Sequence, residues 1–291
     1  MKLRLSPHGS IGAGCVALGA GLVREAAGQL AGLAAAPVAP VHRARVALKR
    51  ARSVLRLLEK AGAAWAIMPR YRLAEAGGLM SAARENAVAA ALARRLARRL
   101  RGRERAVVRR LAERDCPWAP PDAEQIRQAL LLESRELAAA PAPVTTPAQL
   151  RELLRQSLDR TRRRYYAAVM KPTLESVHDW RKAVIVLRDQ CAFAAARWPE
   201  GADVAHPLLV RLARQLGRRG DVALLVRRLQ HLRVPPAHGP ARRKLIARLQ
   251  GQRDRATLTA MLRWLRLERR LHRLLADPGE PGRPPTPSPA R

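Results

Sequence analysis

The chain has 291 residues, room for one large domain or two of ordinary size, and its 48% apolar content argues against general disorder. Lys and Arg number 56 against 23 Asp and Glu, a net charge of +33. That imbalance disfavours cationic ligands and points to a polyanion: nucleic acid, an anionic membrane surface or an inorganic polyanion. Nucleotide bias can put Arg in place of Lys, but it does not remove acids. Ala and Leu dominate and β-branched and aromatic residues are few, which favours helix over strand. Cys15, Cys116 and Cys191 are odd in number and lack CxxC spacing. They predict neither a disulfide framework nor a zinc site, and they fit a reducing compartment.

Residues 1–4 are basic and 11–23 mildly apolar, a weak likeness to a signal peptide. Gly9, Gly12, Gly14, Gly19 and Gly21 dilute it, and Arg24 and Glu25 continue into a helical pattern, so the expectation is no export. No run of eighteen or more apolar residues occurs, so no membrane span is expected. Helical periodicity runs from about Gly14 to Ala36. A second helix, Val41 to Lys60, follows Pro37 and Pro40. At about 100° per residue, its His42, Arg45, Lys49, Arg52 and Arg56 share a stripe roughly 80° wide. Ala47, Leu48, Val54, Leu55 and Leu58 lie opposite, as a core face. Between Pro40 and Glu59 there is no acid. Solvated helix faces mix signs because like charges at i and i+4 repel, so this stripe calls for an anion.

Residues 64–101 read as two helices or one bent helix, with Pro69 and Gly77-Gly78 as breaks. Arg103 to Arg114 and Asp122 to Ala139 are two more. A linker, 141–147, stops the helical pattern with prolines and threonines. Helices then follow at Gln149 to Met170 and Leu174 to Ala196. Ala205 to Arg233 reads as two helices around Gly217 to Gly220, and Ala241 to Gln250 and Ala256 to Leu275 close the fold. Residues 277–291 are proline-rich and expected to be disordered.

The second half repeats the first. His178 lies 136 residues after His42, and at that offset Arg181 matches Arg45, Arg188 matches Arg52 and Asp221 matches Glu85. No strand pattern competes. The fold class expected is all-α: two helical bundles related by an approximate twofold, 1–140 and 148–276, with a basic groove or pore between or along them.

H-x-x-R-V-x-x-K-R-x-R from His42, repeated as H-x-x-R-K-x(5)-R from His178, resembles the CHAD domain, the conserved histidine α-helical domain. Ala83-Arg84-Glu85 is similar to the R-D element of that family's first half, with Glu for Asp. Leu216-Gly217 to Asp221 is similar to the L-G-x-x-x-D element of its second. The likeness covers about residues 3 to 275. It implies two four-helix bundles whose basic groove or pore binds inorganic polyphosphate, with some members on polyphosphate granules. By position it implies binding through His42, Arg45, Lys49, Arg52, Arg56, His178, Arg181 and Arg188. The family pattern has a cation seven residues after the second His, where this chain has Ile185, and Lys182, one turn nearer, is the expected substitute. Arg84, Glu85, Arg218, Arg219 and Asp221 are expected to support the site, the two acids by orienting neighbouring arginines.

An anion beside the histidines would favour their charged form, so binding is expected to strengthen on mild acidification. Both are expected in first turns, where the helix dipole adds to the attraction. Arg162-Arg163-Arg164 with Tyr165-Tyr166 flank the groove or form a solvated face. Arg94, Arg95, Arg98 and Arg99 make an exposed basic face, and Trp180, Trp198 and Trp264 pack in the core.

There is no glycine-rich phosphate loop, HExxH, nucleophile elbow or carboxylate pair at metal-binding spacing. The E-x-E-x-K run of the CYTH triphosphatase domain, carried by some proteins with a CHAD domain, is also missing. The expectation is therefore a binding protein with no catalysis, metal or cofactor, located in the cytoplasm or on polyphosphate granules. The alternative is a sequence-nonspecific nucleic-acid-binding protein. Aromatics at 3%, none within the cationic stripes, leave few stacking platforms for single strands.

Overall fold

The computed structural model describes residues 4–6, 8–31, 38–113 and 123–275, without the side chains of 38, 82–84, 87 and 199–203. Cys116, the expected break at 116–121 and the tail 277–291 lie outside the described residues. The described residues are all-α, with ten helices and two 3-10 turns.

The first two helices show how local chemistry sets the ends. Helix α1 spans Ile11–Leu30, and the Ser10 hydroxyl accepts from the Ala13 amide at its start. Helix α2 spans Val38–Lys60. It begins before Pro40, which its first turn tolerates because no helical partner is needed for an amide there. The expected core face of α2 is buried: Ala47, Leu48, Val54, Leu55 and Leu58 are all at most 1% exposed. By length and composition α1 is apolar enough to cross a membrane. It packs against α2 and the helix Ala123–Ala139, with Leu22, Val23, Ala26 and Ala27 wholly enclosed.

A 3-10 turn at Ala64–Ala66 leads to α3, Ile67–Leu79, and α4, Ser81–Ala97. The chain turns at Met80. Pro69 sits in the first turn of α3 and breaks nothing, while Gly77 and Gly78 lie in its last turn. Helix α5 is Gly102–Ala112 and α6 is Ala123–Ala139, the latter also covering α1. Residues 141–146 are irregular and cross the start of α1 closely: a Cβ on Gly12 would meet the Pro143 carbonyl oxygen at 1.9 Å.

Helix α7, Pro147–Met170, opens with a capping box between Thr146 and Gln149, with Pro147 as its first residue. Helix α8, Leu174–Ala194, is capped by Thr173. The starts of α1 and α7 (11 and 147) and of α2 and α8 (38 and 174) are each 136 residues apart, the offset read from the side chains.

The final third differs from expectation. Helix α9, Pro199–Gln230, runs unbroken through Gly217 and Gly220, and α10, Gly239–Leu275, through Gly251. Each end of these helices is held in a different apolar cluster, which outweighs the roughly 1 kcal/mol helix cost of a glycine. Leu209, Leu212 and Leu216 of α9 and Trp264, Leu267 and Leu271 of α10 join the large cluster. There Tyr165, Trp180 and Trp264 pack with ring centroids 5.3–6.3 Å apart, and Trp198 packs at its margin. Leu225, Val226 and Leu229 of α9 and Leu245 and Leu249 of α10 instead join Ala93, Val107, Val108 and Leu111 of α4 and α5 in a second cluster. The apolar packing therefore runs across the linker.

Candidate functional site

Helices α2 and α8 lie against each other, and the buried Gln190 amide donates to the Ser53 carbonyl oxygen at 3.2 Å. This contact brings the two motif helices together. Lys49 is close enough to His178 to help lower its pKa. Both histidines are the fifth residue of their helices, so they stand in the second turn, not the first. The extra turn appears because each helix begins four residues before its histidine, ahead of the start read from the prolines in the case of α2. The helix-dipole contribution at these positions is correspondingly weak.

Along α2, His42 is exposed, while Arg45, Lys49, Arg52 and Arg56 are half-buried. A guanidinium N–H of Arg45 donates to the Gly77 carbonyl oxygen at the end of α3. Arg52, Arg56 and Lys60 line a cavity of about 260 Å³ with Arg160 and Arg164 of α7 and Asp179 and Lys182 of α8. Burial first, then Arg160, Arg52 and Arg70, together lower the pKa of Arg56 to about 10 against the opposing pull of Glu59. Arg52 is lowered by burial and by Arg70. Lys60 is lowered by burial, Arg160 and Arg163. The buried Nε of Arg52 has no hydrogen-bond partner among the described residues. The local acid Glu59 is engaged by Arg70 at 2.9 Å. Cations thus outnumber acids here: six of them line the cavity with Asp179. Such an arrangement costs free energy until an anion fills it.

A second cavity, of about 530 Å³, adjoins the first, and Asp179 and Lys182 line both. It collects His178, Arg181, Arg219 and Asp221 with Glu85 and Arg227. A Cβ on Gly217 would lie 3.6 Å from Arg181 Nη2, so a longer side chain there would displace the guanidinium. Burial lowers the His178 pKa, followed by Lys182 and Arg181, against Asp179.

The structure therefore gathers Lys49, Arg52, Arg56, His178, Arg181 and Lys182 along the α2 and α8 contact and its two cavities. Arg188 lies elsewhere, in a third cavity where Asp189 accepts from its Nε at 2.9 Å. Lys182 is salt-bridged to Asp179 at 2.9 Å, and Arg164 lies 3.7 Å from the same carboxylate. Ile185 packs on the main apolar cluster. Arg219 is buried and donates to the Thr257 hydroxyl at 3.3 Å, whereas Arg218 is exposed. Glu85 pairs with Arg227 of α9 at 2.8 Å, a partner remote in sequence. The Arg84 side chain is outside the described residues. Arg162 pairs with Glu268 at 3.0 Å, away from the cavities.

Three cations missed in the sequence reading surround Arg56: Lys60, Arg70 and Arg160. Lys60 had a signal, because it falls five helical turns after His42 on the same stripe. Arg160 had a weaker one, its i+4 spacing from Arg164 on α7. Arg70 had none, since only the turn after α2 folds it back.

In comparisons with known proteins, the family model of the CHAD domain matches residues 17–230, most of the chain and up to the end of α9. No curated protein matches.

Proposed function

The chain belongs to the CHAD domain family, which is associated with polyphosphate binding, and from that premise we propose that it binds inorganic polyphosphate without chemical turnover. The chain of phosphates would run along α2, past Lys182, toward His178 and Arg181. The observation that supports this most is the crowding of Arg52, Arg70 and Arg160 around Arg56 with too few acids to neutralise it. A linear polyanion offers a charge at every phosphate and relieves that repulsion repeatedly along its length. Arginine adds forked, charge-assisted hydrogen bonds to phosphate oxygens.

The exposed tyrosines favour polyphosphate over single-stranded nucleic acid. Arg70 lies over one face of the Tyr71 ring at 4.7 Å and Arg162 over one face of Tyr166 at 5.7 Å, which leaves at most one face of each for a base. The protein's place would be the cytoplasm, gathered on polyphosphate granules.

The test is competition. Labelled long-chain polyphosphate is bound at near-physiological salt, then challenged with duplex DNA and single-stranded RNA at matched phosphate concentration. Retention of polyphosphate is the expected result. Efficient displacement by either nucleic acid would transfer the site to backbone binding, with its steep salt dependence. Incubation with polyphosphate should release no orthophosphate.

A further inference from the structure

The third cavity, of about 490 Å³, shares no lining residue with the two described above. Arg4, Arg50, Arg188, Arg214 and His206 surround it, and Asp189 forms part of its wall. A carboxylate among four arginines looks at first like a plain counter-ion. Its hydrogen bonding says otherwise. Asp189 is 3% exposed. Its Oδ1 accepts from both Nε and Nη2 of Arg188, at 2.9 and 2.5 Å, while its Oδ2 is buried without any partner among the described residues. The Nε of Arg50 is likewise buried and unpartnered. A buried acceptor left unmade costs about 1–3 kcal/mol, more for a charged one. The wall of the cavity therefore holds two unmet requirements together: an anionic oxygen for Arg50 Nε, and a proton donor for Asp189 Oδ2.

We propose that this cavity binds a terminal phosphate group, one that carries an acidic O–H, with its oxygens on the arginines and its O–H donated to Asp189 Oδ2. A terminal phosphate keeps a proton up to a second pKa of about 6, and the protonated form remains available near neutrality. Sulfate has no such proton, nor has an internal unit of a phosphate chain. Both would place a bare oxygen against the carboxylate. Burial raises the Asp189 pKa, against Arg188, Arg50 and His206, so the carboxylate gains from sharing a proton. Free orthophosphate and the end of a polyphosphate chain offer the same group. The assignment does not rest on polyphosphate binding along α2.

Calorimetry on the full chain at constant ionic strength near pH 6.5 tests it. The probes are orthophosphate, sulfate, linear tripolyphosphate and cyclic trimetaphosphate, which has no chain ends. Orthophosphate should bind at least about tenfold tighter than sulfate, because a site built to meet a hydrogen bond rejects the analogue that lacks it. Asp189→Asn should erase that preference, since its amide donates where a proton acceptor is required. Arg214→Ala, at an exposed position, should weaken orthophosphate about tenfold with the fold intact.

Asp189-dependent binding of orthophosphate identifies the free ion. An Asp189-dependent preference for tripolyphosphate over trimetaphosphate, without orthophosphate binding, identifies the chain end. Absence of both preferences in the wild-type protein overturns the assignment whether or not Asp189→Asn folds. Loss of the effect on Arg52→Ala with Arg56→Ala would overturn it too, because the cavity contains neither residue. If long-chain polyphosphate failed to bind at all, the reading of α2 would fall and the orthophosphate measurement would be unaffected.

Discussion

Helices α2 and α8 begin 136 residues apart and carry matching His and Arg positions, yet they treat charge in opposite ways. On α2 the cations outnumber the acids: Arg56 stands among Arg52, Arg70 and Arg160, and Glu59, the acid acting on it, is engaged by Arg70. On α8 the cations are largely answered from within the helix. Asp179 holds Lys182, Asp189 holds Arg188, and the position equivalent to Lys49 is the packed Ile185. The repeated motif has thus kept its register while its charge environment has diverged. On the proposed reading, α2 would hold repulsion that a bound polyanion relieves, and α8 would add His178 and Arg181.

The largest expected effect breaks the α2 side. Arg52→Ala with Arg56→Ala should weaken polyphosphate binding about a hundredfold, taking each charge-assisted contact as about tenfold. The slope of log affinity against log salt should fall by about two. The thermal midpoint should hold or rise, because the pair is repulsive in the free protein. A matching loss in melting temperature would show that the pair supports the fold instead.

Next in size is the motif pair Arg45→Ala with Arg181→Ala, expected to cost about tenfold or more. The control, Arg94→Ala with Arg98→Ala, exposed in and just after the last turn of α4, should change affinity by less than about threefold. Equal losses in titration would point to diffuse charge and no site.

Acidification sharpens the α8 side. Burial, then Lys182 and Arg181, lower the His178 pKa against Asp179, which favours the neutral ring in the free protein. An adjacent phosphate raises its pKa, so binding takes up a proton. Affinity should then rise by about threefold to tenfold as pH falls through the bound pKa toward the lower free one. His178→Gln should flatten the profile, and a flat wild-type profile removes His178 from the binding step.

The smallest effect runs the other way. Asp179→Asn releases Lys182 and Arg164, so it should tighten polyphosphate binding by about twofold to threefold. Weaker binding in the same titration would mean that Asp179 orders those cations for the ligand.

Much of this was legible in one dimension. The apolar face of α2, the burial of Trp180 and Trp264, the helical class and the repeat all follow from periodicity and composition, because local spacing decides which side of a helix avoids water. The cationic stripe was legible for the same reason, including Lys60, which continues it.

The tertiary structure decided what spacing cannot encode. Glycine rules would break α9 at Gly217, but its two ends are held by different apolar clusters, so it continues. Glu85 meets Arg227, a partner 142 residues away, and Arg70 reaches Arg56 because the turn at residues 61–66 folds α3 back. Composition alone set the sign of the chain's own charge, a net +33. Which cations go unanswered, and therefore where an anion is wanted, depends on acids brought in from other helices. Electrostatic energy depends on distance through space and on burial, and neither is a property of the chain until it is folded.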